Sequence, residues 1–210
     1  MPKTMAAMAP PKSLNVLNLQ IQESEPPPSF SRRAVLGEGP IGAAMALVGE
    51  QPGDQEDLAG RPFVGASGRL LDRALAEAGI ARGEAYVTNA VKNFKYRREG
   101  KRRIHQKPTT GEIRHYRWWL ERELEFVHPL LVVTLGSTAT EALAGKAIPV
   151  MKNRGPTDRF ALWRGFITVH PSSLLRQPDG AARAEAFVAF VRDLEWAHAL
   201  AANTGAVAPE

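Results

Sequence analysis

The chain has 210 residues, of which 44% are hydrophobic, and no apolar run is long enough to cross a membrane. The absence of cysteine excludes disulfides and any zinc site or iron-sulfur cluster held by cysteine thiolates. The net charge of +5 at pH 7 favours polyanionic partners without identifying one. We expect one domain, and because no secretory signal opens the sequence, a cytoplasmic location.

The first part of the chain, residues 1–33, is rich in proline and lacks hydrophobic periodicity, so we expect a loosely ordered segment. One domain is predicted over 34–204, followed by a frayed tail over 205–210. Within the domain, apolar runs of strand length alternate with segments of helical periodicity. Strands are predicted at about 43–48, 85–89, 130–135 and 166–169, and helices at 67–78, 110–126, 137–143 and 183–200.

This alternation predicts a three-layer α/β/α fold with a central, mostly parallel, four-stranded sheet. Ligands of such sheets bind beyond the carboxyl ends of the strands. A polar residue or turn follows each predicted strand, namely Glu50 and Gln51, Asn89, the Gly-Ser-Thr turn at 136–138, and His170. The sequence therefore predicts a site at this edge of the sheet.

A basic segment at 92–103 contains seven basic residues and one acidic residue, and it accounts for all of the excess positive charge. Phe94 and Tyr96 lie within it. The segment has two interpretations, a contact with a phosphate backbone and a solvated loop.

Four motifs resemble, in order and spacing, those of the uracil-DNA glycosylase superfamily across about residues 41–195: GEQPGD at 49–54, PFVG at 62–65, VTNAVK at 87–92 and HPSSLLR at 170–176. An inserted KRRIHQKP at 101–108 resembles the UdgX branch, whose members are similar to the iron-sulfur family 4 enzymes but trap their product covalently. The resemblance implies a monomer that acts on uracil-containing DNA, either single-stranded or with the base flipped out of a duplex.

The relatives hold an iron-sulfur cluster with four cysteines, the first of them ahead of the first strand. This chain has no cysteine, at Tyr116 or elsewhere, so it resembles a member without the cluster, and we expect no cofactor.

The resemblance implies roles for residues at the predicted edge. Phe63 offers a ring face on which uracil can stack. Asn89 has the donors and the acceptor that reading the N3–H and O4 edge of uracil requires. His170 can donate a hydrogen bond to the uracil O2 as negative charge moves onto the departing base. Gly49 is a further substrate-binding candidate.

The carboxylates and amide of the first motif are implied to surround the sugar. Glu50, Gln51 and Asp54 can stabilise a cationic sugar and orient a nucleophile, and we expect Asp57 to contact Arg103 or His105. Each could instead be a solvated turn residue.

The resemblance implies that His105 is the nucleophile. A neutral imidazole nitrogen can attack C1′ of the cationic sugar. Because an alkylated imidazole is a poor leaving group, the expected result is a single turnover that leaves the protein joined to an abasic site.

The expected DNA-binding residues are basic, hydroxyl and leucine side chains. The serines can hold phosphates, while one of the two leucines enters the vacated base stack. The full set is Lys92, Lys101, Arg102, Lys107, Ser172, Ser173, Leu174, Leu175 and Arg176.

Three alternatives stay open. The protein could be an ordinary turnover glycosylase in which His105 only assists, or a non-catalytic nucleic-acid-binding module that uses the basic segment. A nucleotide-binding enzyme is disfavoured, because no glycine-rich phosphate-binding motif follows a strand.

Overall fold

The computed structural model describes residues 9–203, and the predicted frayed tail at 205–210 lies outside them. The helices are α1 Leu14–Glu23, α2 Asp54–Ala59, α3 Ala66–Glu77, α4 Thr110–Val127, α5 Ser137–Ala144, α6 Pro171–Leu175 and α7 Gly180–Ala202. The strands are β1 Phe30–Ala34, β2 Met45–Gly49, β3 Tyr86–Asn89, β4 Asn93–Glu99, β5 Arg102–His105, β6 Leu131–Leu135, β7 Gly155–Thr157 and β8 Gly165–Thr168. Each of these helices is too short or too polar to span a lipid bilayer.

The central sheet has the strand order β3-β2-β6-β8-β7 and is mostly parallel. The predicted α/β fold and the four predicted strands are confirmed, but the sheet has five strands and not four. The additional strand, β7, is a three-residue Gly-Pro-Thr segment that pairs antiparallel with β8. It lacks an apolar run, and its proline is tolerated because β7 lies at the edge of the sheet.

Side chains of the sheet alternate between two helical layers, as the period of two in a strand requires. Leu47 and Val133 point towards the layer that contains α3 and α7. Val48 and Val132, their neighbours along the strands, point towards α4 and α5. Because both faces are covered, the parallel strands are buried along their whole length.

A second sheet, with the order β1-β4-β5, was not predicted. Its strands are antiparallel, and β4 and β5 form a hairpin that turns at Gly100, where φ is 57°. This hairpin carries most of the basic segment. The alternating polar pattern of an exposed hairpin resembles that of a solvated loop, which is why the sequence alone did not reveal it.

The N-terminal segment differs from the expectation of loose order. Helix α1 packs against α4, and Leu17 and Ile21 are buried beside Tyr116 and Trp119. Strand β1 then pairs with β4. Residues 14–34 are therefore held by apolar packing and strand pairing. The sequence did not predict this order, because a short helix with only two buried residues has little hydrophobic periodicity.

A buried hydrogen-bonded chain joins α4 to both strands of this region. The Tyr116 hydroxyl donates to Asn93 Oδ1 at 2.8 Å, and Asn93 Nδ2 donates to the Ser31 carbonyl at 3.0 Å. The Ser31 hydroxyl accepts from the Phe94 backbone N–H at 3.1 Å. These bonds satisfy polar groups that would otherwise be costly to bury.

We predict that Tyr116→Phe lowers the free energy of unfolding by about 1 to 3 kcal/mol, because Asn93 Oδ1 loses its donor in a buried place. Urea unfolding measures this change. The matched control is Tyr96→Phe, since the Tyr96 hydroxyl has no hydrogen-bond partner within residues 9–203 and its loss should change stability little. Equal effects of the two substitutions would contradict the prediction.

Candidate active site

A cavity of about 1120 Å³ opens at the carboxyl edge of the parallel strands, as predicted. Glu50 and Gln51 follow β2, Asn89 ends β3, and His170 follows β8, and all four line the cavity. Ser137, the first residue of α5, lines it as well. The topology of the sheet therefore brings residues from four separate segments to one place.

One wall of the cavity is the ring of Phe63, which is 6% exposed. Its backbone is left-handed, with φ of 55°, a conformation that is rare for a bulky residue. Two glycines permit it: a Cβ on Gly68 would collide with the Phe63 carbonyl, and a Cβ on Gly49 would collide with both the Phe63 ring and Asn89 Oδ1. Gly49 thus lets the ring and the amide approach each other.

The side-chain amide of Asn89 lines the cavity without a hydrogen-bond partner among residues 9–203. Asn89 is only 3% exposed. A buried amide with free donors and a free acceptor is normally satisfied by a partner, so the geometry leaves this group available to a ligand.

His170 caps helix α6 and faces the Phe63 ring at a centroid distance of 6.1 Å. Its Nδ1 accepts the Ser172 backbone N–H at 3.1 Å, so in the neutral ring the proton is on Nε2. Burial lowers the pKa of His170 to about 4, although the charge of Glu50 opposes this shift. His170 is therefore a neutral hydrogen-bond donor at pH 7.

The carboxylate of Glu50 is held between two elements. Thr138 donates to Glu50 Oε2 at 2.7 Å, and Glu50 Oε1 lies 3.2 Å from Nε2 of His105. Burial acts to raise the pKa of Glu50, but the hydrogen bonds from His105 and Thr138 outweigh it, and the pKa lies below its ordinary value. Glu50 is therefore an anion at neutral pH.

The Gln51 side chain fixes the orientation of His105. Gln51 Oε1 accepts the Lys95 backbone N–H at 3.0 Å, and Gln51 Nε2 donates to the Gln106 carbonyl at 3.0 Å. These backbone partners determine which end of the amide is the donor, and Gln51 Nε2 faces His105 Nε2 at 2.8 Å. His105 Nε2 therefore faces a donor, Gln51 Nε2, and an acceptor, Glu50 Oε1: the Nδ1–H tautomer accepts from Gln51, and the Nε2–H tautomer donates to Glu50. The imidazole is half-exposed at the mouth of the cavity.

Two aspartates hold the hairpin through Arg103. Arg103 pairs with Asp54 and Asp57, at 2.5 Å in each case, and its guanidinium stacks on Phe94 and Tyr96. The expected contact between Asp57 and Arg103 is present. However, only Asp54 of these three charged residues lines the cavity.

Two of the expected DNA-binding residues are inaccessible. Lys92 has no exposed surface and pairs with Glu123, so it cannot contact a phosphate. Leu174 is 1% exposed and packs in the core, whereas Leu175 is 40% exposed. Of the two leucines, only Leu175 is available to a base stack.

The other expected DNA-binding residues surround the cavity. Lys107, Ser172, Ser173 and Arg176 line it, and Ser173 also donates to the His170 carbonyl. Lys101 and Arg102 are exposed at the hairpin turn, without ion-pair partners in the described part of the chain.

The roles of three residues were not predicted. Thr138, in the predicted polar turn at 136–138, holds Glu50. Glu56 accepts from the backbone N–H groups of Gly53 and Gly65, which fixes the loops beside Phe63. Glu123 lies on α4, and nothing in its local sequence marks it as the partner of a buried lysine.

The residues near Tyr116 do not fit an iron-sulfur cluster. A phenol bonded to an amide, at Tyr116 and Asn93, and the apolar side chains of Leu17, Ile21 and Phe30 fill the space between α1, β1 and α4. None of these is a thiolate or imidazole that could bind iron. Within residues 9–203, no cluster of histidine and acidic side chains could hold a metal ion.

The depressed pKa of His170 predicts a stability change with pH. The unfolded chain takes up a proton near pH 6.5, whereas the folded chain does so only near pH 4. The contribution is therefore complete above pH 6.5 and is lost as pH falls to 4, a total of about 3 kcal/mol. Urea unfolding between pH 7 and pH 4.5 measures it, and His170→Asn should remove this part of the pH dependence. The same pH dependence in the variant would contradict a buried neutral His170.

The chain is similar in sequence to type-4 uracil-DNA glycosylases. The chain is 38% identical to the type-4 uracil-DNA glycosylase of Thermotoga maritima over 71% of this chain and 75% of that protein. It is 34% identical to the type-4 enzyme of Saccharolobus solfataricus over 71% of this chain and 70% of that protein. Residues 36–195 also match the sequence profile of a family, and on these grounds the chain belongs to the uracil DNA glycosylase superfamily.

Proposed function

We propose that the protein excises uracil from DNA and then captures the abasic sugar on His105. The observation that carries the second part is the convergence of His105 Nε2, Glu50 Oε1 and Gln51 Nε2 at the mouth of the cavity. In the tautomer that accepts from Gln51, the unprotonated nitrogen and the carboxylate oxygen are two electron-rich atoms 3.2 Å apart, and a cation beside them stabilises both. A cationic sugar is such a partner.

The inner part of the cavity suits a flipped uracil. The Phe63 ring supplies a stacking surface, and the free amide of Asn89 can donate to O4 and accept from N3–H. Cytosine has an amino group at position 4 and no proton on N3, so it would leave both ends of the amide facing a like group. Selection of uracil over cytosine follows from that mismatch.

Cleavage places negative charge on the base and positive charge on the sugar. The C1′–N1 bond breaks with its electron pair remaining on uracil, and Nε2–H of His170 stabilises the developing charge at O2 by a hydrogen bond. Because His170 is neutral at pH 7, it acts as a donor without transferring a proton. The Glu50 carboxylate stabilises the oxocarbenium-like sugar on its other side.

Capture then uses the lone pair that His105 Nε2 carries in the tautomer with the proton on Nδ1. His105 Nε2 donates this pair to C1′, a carbon–nitrogen bond forms, and the ring becomes an imidazolium that keeps its proton on Nδ1. The new positive charge lies beside Glu50. Since an alkylated imidazole is a poor leaving group, the adduct persists and the protein turns over once.

The substrate in this proposal is single-stranded DNA or a duplex with the base flipped out. Leu175 would enter the vacated stack, and Ser172, Ser173, Lys107 and Arg176 would contact the phosphates around the lesion. That the protein acts as a cytoplasmic monomer stays a prediction. The rival within the family is a turnover enzyme in which His105, 3.2 Å from Glu50, activates a water.

The proposal predicts a salt-dependent association through the hairpin turn. Each contact with single-stranded DNA contributes about 0.7 to the slope of log affinity against log salt. Lys101→Gln/Arg102→Gln should therefore weaken initial binding and reduce the slope by about 1.4, as measured by fluorescence anisotropy. The control, Lys12→Gln/Arg192→Gln, removes the same charge from exposed residues outside the hairpin, one ahead of α1 and one in α7. Equal slopes for the two variants would contradict this role of the turn.

We predict that His105→Ser separates excision from capture. The variant should release uracil from a uracil-containing oligonucleotide but give no crosslinked band on a denaturing gel, because the nucleophile is absent while Phe63, Asn89 and His170 are intact. The wild type should give the band. His198→Ser, the same change outside the cavity, should behave as the wild type does.

Two other outcomes are informative. Wild-type protein that yields free abasic DNA and no crosslink would establish the turnover rival. A His105→Ser variant that binds uracil DNA but neither crosslinks nor releases uracil would show that His105 takes part in bond cleavage, and the capture-only role would be wrong.

A further inference from the structure

The most deeply buried charges in the described part of the chain lie directly beneath the cavity. Lys92 Nζ is 2.5 Å from Glu123 Oε2, and neither side chain has exposed surface. Tyr86 and Thr88, both in β3, donate to the same carboxylate, at 3.0 Å and 3.0–3.1 Å. The excision and capture steps proposed above use none of these four residues.

The network reaches the cavity through one hydrogen bond. Lys92 Nζ donates to the backbone carbonyl of Asn89 at 2.7 Å, and also to Thr88 Oγ1 at 2.8 Å. The three protons of the ammonium group thus have three acceptors: a carboxylate, a hydroxyl and the carbonyl of the residue whose amide faces the cavity. No other lysine is held in this way among residues 9–203.

The turn that Lys92 holds is also tied to the other side of the cavity. The backbone N–H groups of Ala90 and Val91 donate to the carbonyls of Gly49 and Glu50, at 2.9 Å and 3.0 Å. These bonds hold the turn through its backbone N–H groups, and Lys92 holds it through the Asn89 carbonyl. The free amide of Asn89 has no partner of its own, so its position depends on its backbone.

We propose that Lys92 and Glu123 are positioning residues for base selection: the buried ion pair fixes the Asn89 carbonyl and thereby the angle at which the Asn89 amide meets the base. This inference rests on the proposed role of Asn89 as the reader of uracil. Lys92 clamps the turn and Glu123 keeps the ammonium group charged and directed. Neither residue touches the substrate.

Burying an ion pair costs more free energy than burying an apolar pair of similar size. The hydrogen bond that the Asn89 carbonyl accepts explains why the charged pair is present here. An apolar side chain at 92 could fill the space but could not donate to a carbonyl. A neutral donor such as serine is too short to cross from residue 92 to the Asn89 carbonyl and to α4 as well. The length and the three donors of lysine meet both needs, and burial then requires a carboxylate to oppose the lowered pKa of Lys92.

The test compares DNA containing uracil with DNA containing 2-pyrimidinone, which lacks both O4 and the proton on N3, under single-turnover conditions with base release as the readout. The ratio of the two rates measures how well the Asn89 amide meets the O4 and N3–H edge of uracil, and intrinsic differences between the bases cancel when variants are compared. The variant is Lys92→Met/Glu123→Gln, which removes both charges together so that neither is left buried alone, and which keeps an acceptor for Tyr86 and Thr88.

We expect the ratio to fall about 10-fold in this variant, with non-covalent DNA binding unchanged. Tyr116→Phe is the control for general destabilisation, since it weakens the same helix and should leave the ratio as in the wild type. An unchanged ratio in the double variant, or an equal fall in Tyr116→Phe, would overturn the proposal. If the double variant does not fold, Tyr86→Phe replaces it in the test, because this change removes one hydrogen-bond donor from Glu123. A fall in the ratio of less than about 10-fold then supports the proposal. A ratio equal to that of the wild type overturns it.

Asn89→Asp separates this inference from the proposed function. If wild type fails to release uracil, or if Asn89→Asp leaves the ratio unchanged, Asn89 is not the reader and the proposed function fails. If Asn89→Asp lowers the ratio but Lys92→Met/Glu123→Gln does not, the reader stands and the positioning role of the buried pair is wrong.

Discussion

The side chain of Gln51 joins the central sheet to the β4–β5 hairpin, and the placement of His105 depends on it. The amide is 7% exposed, and its two ends meet a backbone N–H and a backbone carbonyl of the hairpin region, so it cannot turn over without losing both bonds. That constraint presents a donor to His105 Nε2 and so favours the tautomer in which this nitrogen carries its lone pair, whereas Glu50 favours the other tautomer. One buried amide therefore helps to set both where His105 lies and which of its nitrogens can react.

The basic residues near the cavity differ in role according to how deeply they are buried. Lys92 is fully buried with Glu123, and Arg103 is enclosed by two aspartates and two aromatic rings, so both organise the protein. Lys101 and Arg102 remain free in the described chain. Fewer basic residues of this segment are thus available to DNA than its net charge indicates, because a charge that already has a buried partner attracts a phosphate weakly.

The region where relatives are expected to hold a cluster is stabilised by ordinary packing. Leu17 and Ile21 of α1 press on α4, and the Tyr116 hydroxyl bonds to Asn93 between them. The apolar packing and the hydrogen bond together link the N-terminal segment to α4 and to β4, the first strand of the hairpin. Apolar burial and a satisfied hydrogen bond give this link without a metal, at the cost that single substitutions can weaken it.

The sequence by itself determined the α/β architecture, the four main strands and the motifs that follow them, because strand and helix periodicities are local and the ends of parallel strands must share one edge. It could not determine that Lys92 is buried, that Leu174 lies in the core, or that a second sheet carries His105. Those facts depend on contacts between segments far apart in the chain, such as Lys92 with Glu123 and Gln51 with Lys95. A residue's type gives its charge and hydrogen-bonding capacity, whereas only the tertiary structure decides which partner takes them up.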